Sequence, residues 1–298
     1  MELVLNNKSR NQMEEKIRNS FANGMGDRAA FMKRQAILAH LRDVEEAYGV
    51  KILLAVESGS RAWGFESKNS DWDVRFIYVH TPEWYFNLKE QRDVIEHMYD
   101  DDVDLVGWEL RKALILLSRG NPSLLEWFSS PIVYYEDQEF LRRIREVESF
   151  YFNPIRGMYH YYRIYNVHNE RYLTKEGCTA KRFLYYLRGV LACRWIEKNL
   201  TLPPVAFGEL VEAVVDAEET RLQIDQLLRM KKSGNEYDIQ CVDAQLRSYA
   251  RQLADYYDAT IGSFHPELQK ISNDKLNALF YDMVMAHAGE SRGLSKVS

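Results

Sequence analysis

Apolar positions fall into two regimes along the chain. Up to about residue 135, short apolar runs of strand length alternate with helical stretches; after it, helical spacing continues almost unbroken. From Asp27 to Tyr48, residues Phe31, Ile37, Leu38, Leu41, Val44 and Ala47 recur at helical spacing, and Gly49 ends that helix. Lys51 to Glu57 (KILLAVE) is an apolar run suited to a buried strand, broken sharply by Ser58-Gly59-Ser60. Asp73 to Val79 (DVRFIYV) reads as a second strand, with Pro82 closing that stretch, and Val103 to Glu109 (VDLVGWE) reads as a third. Between these two lies a connection rich in tyrosine, tryptophan and acid.

Ala113 to Ser118 turns helical, Asn121-Pro122-Ser123 marks a break or restart, and Ile132 to Tyr135 is a short extended piece. From about Gln138 only helices are expected, separated at Asn153-Pro154, at Gly177 and at Pro203-Pro204. Lys231 to Glu236 (KKSGNE) reads as a polar loop between two long helices. Leu276, Leu279, Phe280 and Met283 give a last helix. Residues 1–25 read as a loose lead-in and residues 289–298 as a frayed tail. The expected fold class is α+β: a small mixed sheet with helices over residues 1–135, then an all-α domain over residues 136–298.

Composition narrows the function class. The 298 residues are 46% hydrophobic and 13% aromatic, enough for a substantial core. No apolar run is long enough to span a bilayer, and Met1 to Arg10 lacks a secretory pattern, so no membrane association is expected. Cys178, Cys193 and Cys241 form no close pair, which fits a reducing cytoplasm and no zinc site. Net charge is −5, against indiscriminate coating of nucleic acid. Yet from Tyr151 to Leu200 nine basic residues face three acidic ones.

Chemistry concentrates between Glu57 and Ile77: a strand end, Gly-Ser, a short loop, then Asp-x-Asp opening the next strand. Gly59 lets the backbone pass close to a phosphate. Ser60 offers a hydroxyl beside backbone N–H groups that suit an anion. A helix beginning there would add its N-terminal pull. Asp71 and Asp73, two apart on a strand, project to one face. Adjacent carboxylates repel unless a cation lies between them. Mg²⁺ (or Mn²⁺) suits them, because it binds through one or two carboxylates plus substrate phosphates. A third carboxylate completes a site for two ions that stabilises both oxygens of an in-line displacement. Asp104 is the favoured third ligand and a candidate to take the acceptor's proton. Asp102 would share its face and is the main rival, with Asp100, Asp101 and Glu109 on the same run.

Gly59-Ser60, Asp71-x-Asp73 and Asp104 resemble the catalytic pattern of the DNA polymerase β-type nucleotidyltransferase superfamily. More narrowly, ESGSRAWGFESKNSDWDVRFIY, VDLVGWELRKAL and LRGVLACRWI resemble a bacterial and phage group, the RNA repair pathway polymerase β family of predicted nucleotidyltransferases. The resemblance runs roughly from Ile37 to Leu210. It implies a polymerase β-like palm and transfer of a nucleotide from a nucleoside triphosphate to an acceptor hydroxyl, with release of pyrophosphate. The implied acceptor is an RNA end, in RNA repair or tRNA metabolism. It also implies a helical domain that closes over the nucleotide. Lys181 then reaches the triphosphate, Tyr185 stacks, and Arg188 binds phosphate or pairs with a carboxylate.

These three residues follow at spacings of four and three, on one helix face, where a solvated face is the plain alternative. Arg61 grips triphosphate or pairs with Glu57 or Glu66, while Trp63 and Phe65 fit core better than base stacking. Tyrosines from Tyr151 to Tyr172 interleave with Arg156, Arg163 and Arg171, a mixture suited to single-stranded RNA or to helix packing. His97, His160 and His168 lack zinc spacing, and no P-loop or nucleophile elbow occurs. Two further readings stay open. The same site could place AMP or another nucleotide on a protein or small molecule, or the chain could be a non-catalytic nucleotide- or RNA-binding module, against which the full carboxylate set argues.

Overall fold

The computed structural model describes residues 25–100, 102–168, 179–233, 242–268 and 270–294. The expected lead-in up to residue 24, the break at Gly177, residues 234–236 of the polar loop and the last four residues lie outside these. The chain divides into two compact units after Gly49. The first contains helix α1 (Met25–Tyr48), which Gly49 ends with a φ of 60°. Everything described below belongs to the second.

Strands β1 (Val50–Glu57), β2 (Trp72–His80), β3 (Val94–Tyr99), β4 (Val103–Glu109) and β5 (Val133–Glu136) form one five-stranded sheet in the order β3-β4-β2-β1-β5. β1 runs antiparallel to β2 and β5, β3 antiparallel to β4, and β2 parallel to β4. The sheet is therefore mixed, as the sequence predicts. In central β2 every residue from Phe76 to His80 is buried, because both faces are covered. Phe76 lies against Gly107 on β4, where an added Cβ would come within 2.2 Å of the ring.

β3 departs from the expectation of a mere connection. Of its residues only Ile95 is buried, so the segment carries no apolar run to announce a strand. Pairing with β4, from Val94↔Trp108 to Tyr99↔Val103, holds it as an edge.

Short helices α2 (Gly59–Ala62) and α3 (Pro82–Tyr85) follow β1 and β2. Helices α4 (Leu110–Ser118), α5 (Pro122–Phe128) and α6 (Gln138–Arg145) start at side-chain caps. Glu109, Asn121 and Asp137 accept from the backbone N–H three residues on, at 3.2, 3.0 and 2.9 Å. Then come α7 (Pro154–His168), α8 (Ala180–Asn199), α9 (Phe207–Val214), α10 (Glu218–Lys232), α11 (Ala244–Thr260) and α12 (Asp274–Leu294). The fold is α+β, a mixed sheet with helices followed by a helical region. Among the described residues no helix is long and apolar enough to cross a membrane.

Two hydrophobic cores result. In one, α8 is buried around most of its circumference, and Phe183, Leu187 and Leu191 pack with Tyr161 and Tyr165 of α7 and Leu246 of α11. In the other, Leu54 and Ile77 of the sheet meet Leu117 of α4, Phe140 of α6 and Leu276, Leu279 and Met283 of α12. Helix α12 thus returns from the far end of the chain to cover the sheet. The Arg143–Asp282 ion pair at 2.7 Å and the bond from the Tyr151 hydroxyl to the Ser272 carbonyl at 2.8 Å fasten it there.

Leu279 is 1% exposed, so Leu279→Ala should cost about 2–5 kcal/mol, the usual range for emptying a core leucine site. Trp108 and Trp127 lie in the same core with ring centroids 4.0 Å apart and supply the fluorescence signal for urea unfolding. An unchanged midpoint and slope would show that α12 adds nothing to the sheet core.

Candidate active site

The site is assembled where β1 ends beside the starts of β2 and β4. Parallel pairing sets Asp73 of β2 directly opposite Asp104 of β4. Asp102 is not on the strand: it sits in the preceding turn with a φ of 62°, exposed, and its carbonyl accepts from Trp72 N–H at 2.9 Å. Asp71 is exposed and precedes the first strand residue, Trp72. Glu109, at the far end of β4, is buried, caps α4 and accepts from the Tyr85 hydroxyl.

Arg75 reaches across the pair. Its Nη2 donates to Asp73 Oδ1 at 3.2 Å and to Asp104 Oδ2 at 2.9 Å, and its Nη1 donates to the Asp104 carbonyl at 3.0 Å. Burial raises the pKa of Asp73; Arg75 opposes this, and the charges of Asp104 and Asp71 add to it. Asp104 and Asp71 therefore both lie within electrostatic reach of Asp73.

Gly59, which opens α2, takes a φ of +60°, and a Cβ there would stand 2.2 Å from Asp73 Oδ2. Only glycine fits, by dihedral and by space. The Ser58 N–H donates to the Asp73 carbonyl at 2.8 Å and locks the turn against β2. Beneath it, buried Glu57 accepts from the Asp73 N–H at 2.9 Å and from the Tyr134 hydroxyl of β5. Burial lifts the Glu57 pKa to about 7, the hydrogen bonds from Tyr134 and Asp73 opposing the rise.

The loop after α2 runs into the helical core. Phe65 is fully buried there, 5.5 Å from the Phe207 ring, and the Trp63 carbonyl accepts from Phe207 N–H at 2.9 Å. Trp63 and Phe65 are thus core residues. Ser60 is buried, and Tyr185 of α8 shares a hydrogen bond with its side chain while packing edge-on to Trp63 at 5.2 Å. The Tyr185 pKa is raised, by burial first and then by the charge of Asp73. Tyr185 therefore borders the carboxylates.

Lys181 lies one turn earlier, exposed, and its charge acts on Lys231 of α10. Lys231, expected in a polar loop, is buried in the last turn of α10 and donates to the Phe65 carbonyl. Burial, then the charge of Lys181, pulls its pKa down to about 8. Arg188, on the same helix, is 3% exposed and turned inward. It pairs with Glu126 of α5 at 3.0 Å and lies over the Trp63 ring at 4.2 Å. Arg61 lies over Trp72 at 3.7 Å and donates to the carbonyls of Asp71 and Ser70 at 3.0 and 2.6 Å. Its guanidinium braces the loop that carries Asp71.

Arg75, Tyr134 and Glu126 were not singled out from the sequence, Glu57 was named only as a possible partner of Arg61, and Lys231 only as part of a loop. Arg75 had a signal: it is next in the period-two series 71, 73, 75. Glu57, last residue of an apolar strand, had a weaker one.

The donor set fits a divalent cation that arrives with phosphate. Among the described residues, no three His, Cys, Asp or Glu side chains converge into a preformed cage. Asp73 and Asp104 supply hard oxygens side by side, with Asp71 in electrostatic reach, and Mg²⁺ ordinarily completes its shell with substrate phosphates and water.

The chain matches the model of the RNA repair pathway DNA polymerase beta family over residues 33–282 and belongs to that family, which points to a polymerase β-like nucleotidyltransferase. An uncharacterized protein from Bacillus subtilis (strain 168), YcgL, is 45% identical over 207 residues, covering 70% of this chain and 80% of that protein. A nucleotidyltransferase-like protein from Exiguobacterium sibiricum 255-15 is similar over 81% of this chain and 86% of its own, at 13% identity and a TM-score of 0.31.

Glu57 yields a pH prediction. A carboxyl whose pKa rises on folding favours the fold in its protonated form. That stability is complete below the ordinary value of 4.5 and is lost as pH rises through about 7. Glu57→Gln keeps an acceptor for the Asp73 N–H and removes the titration. Between pH 4.5 and 8 the variant should lose less stability than the parent, by on the order of 2–4 kcal/mol. Urea unfolding at both pH values in metal-free buffer measures this, and parallel profiles would refute it.

Proposed function

We propose that this family member is a metal-dependent nucleotidyltransferase that moves a nucleotide from a nucleoside triphosphate to an acceptor hydroxyl at an RNA end. One observation carries the reading: Asp73 and Asp104 stand in register on parallel strands, with Gly59 packed so closely against Asp73 that no side chain fits.

Asp71, Asp73 and Asp104 would hold Mg²⁺ or Mn²⁺. When bound, the ions supply positive charge to the attacking and leaving oxygens of the displacement. The chain's residues do the rest. Gly59 and Ser60 bring backbone and hydroxyl up to the triphosphate, and Lys181 neutralises its outer phosphates. Tyr185, hydrogen-bonded to Ser60 and edge-on to Trp63, forms the wall against which the base rests. Glu57 fixes the backbone of Asp73, and Arg61 fixes that of Asp71. Arg188 is a positioning residue here, since its guanidinium is spent on Glu126 and Trp63. The acceptor oxygen bonds to the α-phosphorus, the bond from that phosphorus to the bridging oxygen breaks, and pyrophosphate leaves. The hydroxyl proton passes to the Asp104 carboxylate. In this reading the helical region after residue 135 helps hold nucleotide and acceptor.

The test is transfer of label. The protein is incubated with each α-labelled nucleoside triphosphate, Mg²⁺ or Mn²⁺, and a mixed pool of RNA and protein. Label should enter RNA, and Asp73→Asn or Asp104→Asn should lower the rate at least ~100-fold, as loss of a direct transition-state contact does. Gly59→Ala should have a similar effect by displacing Asp73. Label on protein in place of RNA would overturn the acceptor, and transfer unchanged in Asp73→Asn would overturn the site.

A further inference from the structure

A cleft of about 700 Å³ opens where α7 faces the turn between α4 and α5. Its charged lining consists of Arg119 from that turn and Arg156 and Arg163 from α7, with His160, and no carboxylate lines it. All three arginines are exposed, and among the described residues none has an ion pair or a side-chain hydrogen bond. Arg142, Arg143 and Arg194, by contrast, are paired, with Glu139 and Glu146, with Asp282 and with Asp216. In a chain of net charge −5, three such arginines around one hollow make a concentrated anion site.

The rest of the lining is not that of a bare phosphate site. Tyr159 is 38% exposed and stands on α7 between Arg156 and Arg163, with Leu116, Ile164 and Val167 around it. Positions 156, 159, 163 and 167 share one face of α7. The two helix arginines are separated by about 10 Å of helix axis. Alternating cation, aromatic ring and apolar surface is the pattern that binds single-stranded nucleic acid, the rings stacking on bases and the arginines following the backbone. An acidic peptide would use the arginines but gain little from the ring.

The cleft also rests on the framework of the candidate active site. Its walls belong to α5 and α7, the helices that carry Glu126 and Tyr161, and the Tyr161 hydroxyl donates to Glu126 at 2.5 Å. Glu126 is the partner of Arg188, which backs Trp63 in the loop leading from Gly59 and Ser60. A strand held in the cleft is thus held on elements rigidly joined to that loop.

We infer that the cleft formed by Arg119, Arg156, Arg163 and Tyr159 binds a single-stranded segment of the acceptor RNA, away from the nucleotide itself. The inference rests on the transferase reading above for the word acceptor, and on the cleft's own chemistry for RNA binding. A fluorescently labelled short single-stranded RNA is titrated with the full chain, without nucleotide, and anisotropy is followed over a series of KCl concentrations. Arg119→Ala, Arg156→Ala and Arg163→Ala should each weaken binding about 3–10-fold and lower the slope of log affinity against log salt by about 0.7. Tyr159→Ala should weaken binding with the slope unchanged. These side chains are exposed, so melting of the variants by circular dichroism should match the parent.

A triple arginine variant that binds RNA within twofold of the parent, at the same slope, overturns the proposal. So does an acidic peptide of equal charge that binds as tightly and depends on the same arginines. Asp73→Asn should bind RNA like the parent. If the parent transfers no label while RNA binding still depends on the arginines, the transferase reading falls and the cleft stands. If label enters RNA and the triple variant transfers and binds as well as the parent, the cleft falls and the transferase stands.

Discussion

Two carboxylates placed side by side repel, and the parallel pairing of β2 with β4 forces Asp73 and Asp104 into that position. Around them the fold relieves the repulsion only in part. Arg75 lies on the same strand face and neutralises the pair partially, since burial and the neighbouring acids still hold the Asp73 pKa above its ordinary value. Gly59 yields the space Asp73 needs, and Glu57 takes the Asp73 N–H so that its backbone cannot retreat. The proposed divalent cation would take up the negative charge that Arg75 leaves uncompensated.

The loop beside this pair is anchored in the helical core. Phe65 is fully buried among residues of α8 to α11, Trp63 lies between Tyr185 and Arg188, and Lys231 donates to the Phe65 carbonyl. The buried Glu126–Arg188 pair lies behind it. Removing one member of such a pair is costly because the other charge is left stranded in low dielectric. Site geometry and helical packing are therefore coupled through one short aromatic segment.

Much of this was legible in the sequence, for reasons that can be named. Strand runs such as KILLAVE and VDLVGWE are apolar because the sheet is covered, and Gly-Ser followed by Asp-x-Asp follows from the local geometry of two strand ends. β3 was hidden because an edge strand with one buried residue carries no apolar signature. Whether Arg188 meets phosphate or a carboxylate was open in the sequence, because its partner, Glu126, lies far away in the chain. Lys231 looked like loop for the same reason, its acceptor being the carbonyl of Phe65. Strand pairing sets Asp104, and not Asp102, opposite Asp73, a matter of one residue of strand boundary that periodicity does not resolve.

The return of α12 to the sheet bears on how the molecule comes into being. A ribosome releases β1, β2 and β4 early, but the face that these strands present to Leu276, Leu279 and Met283 stays open until nearly the whole chain has emerged. The segments of the helical core, α7 to α11 and Phe65, have all been made before then. The sheet core is thus completed by the helix that lies farthest from it in the chain.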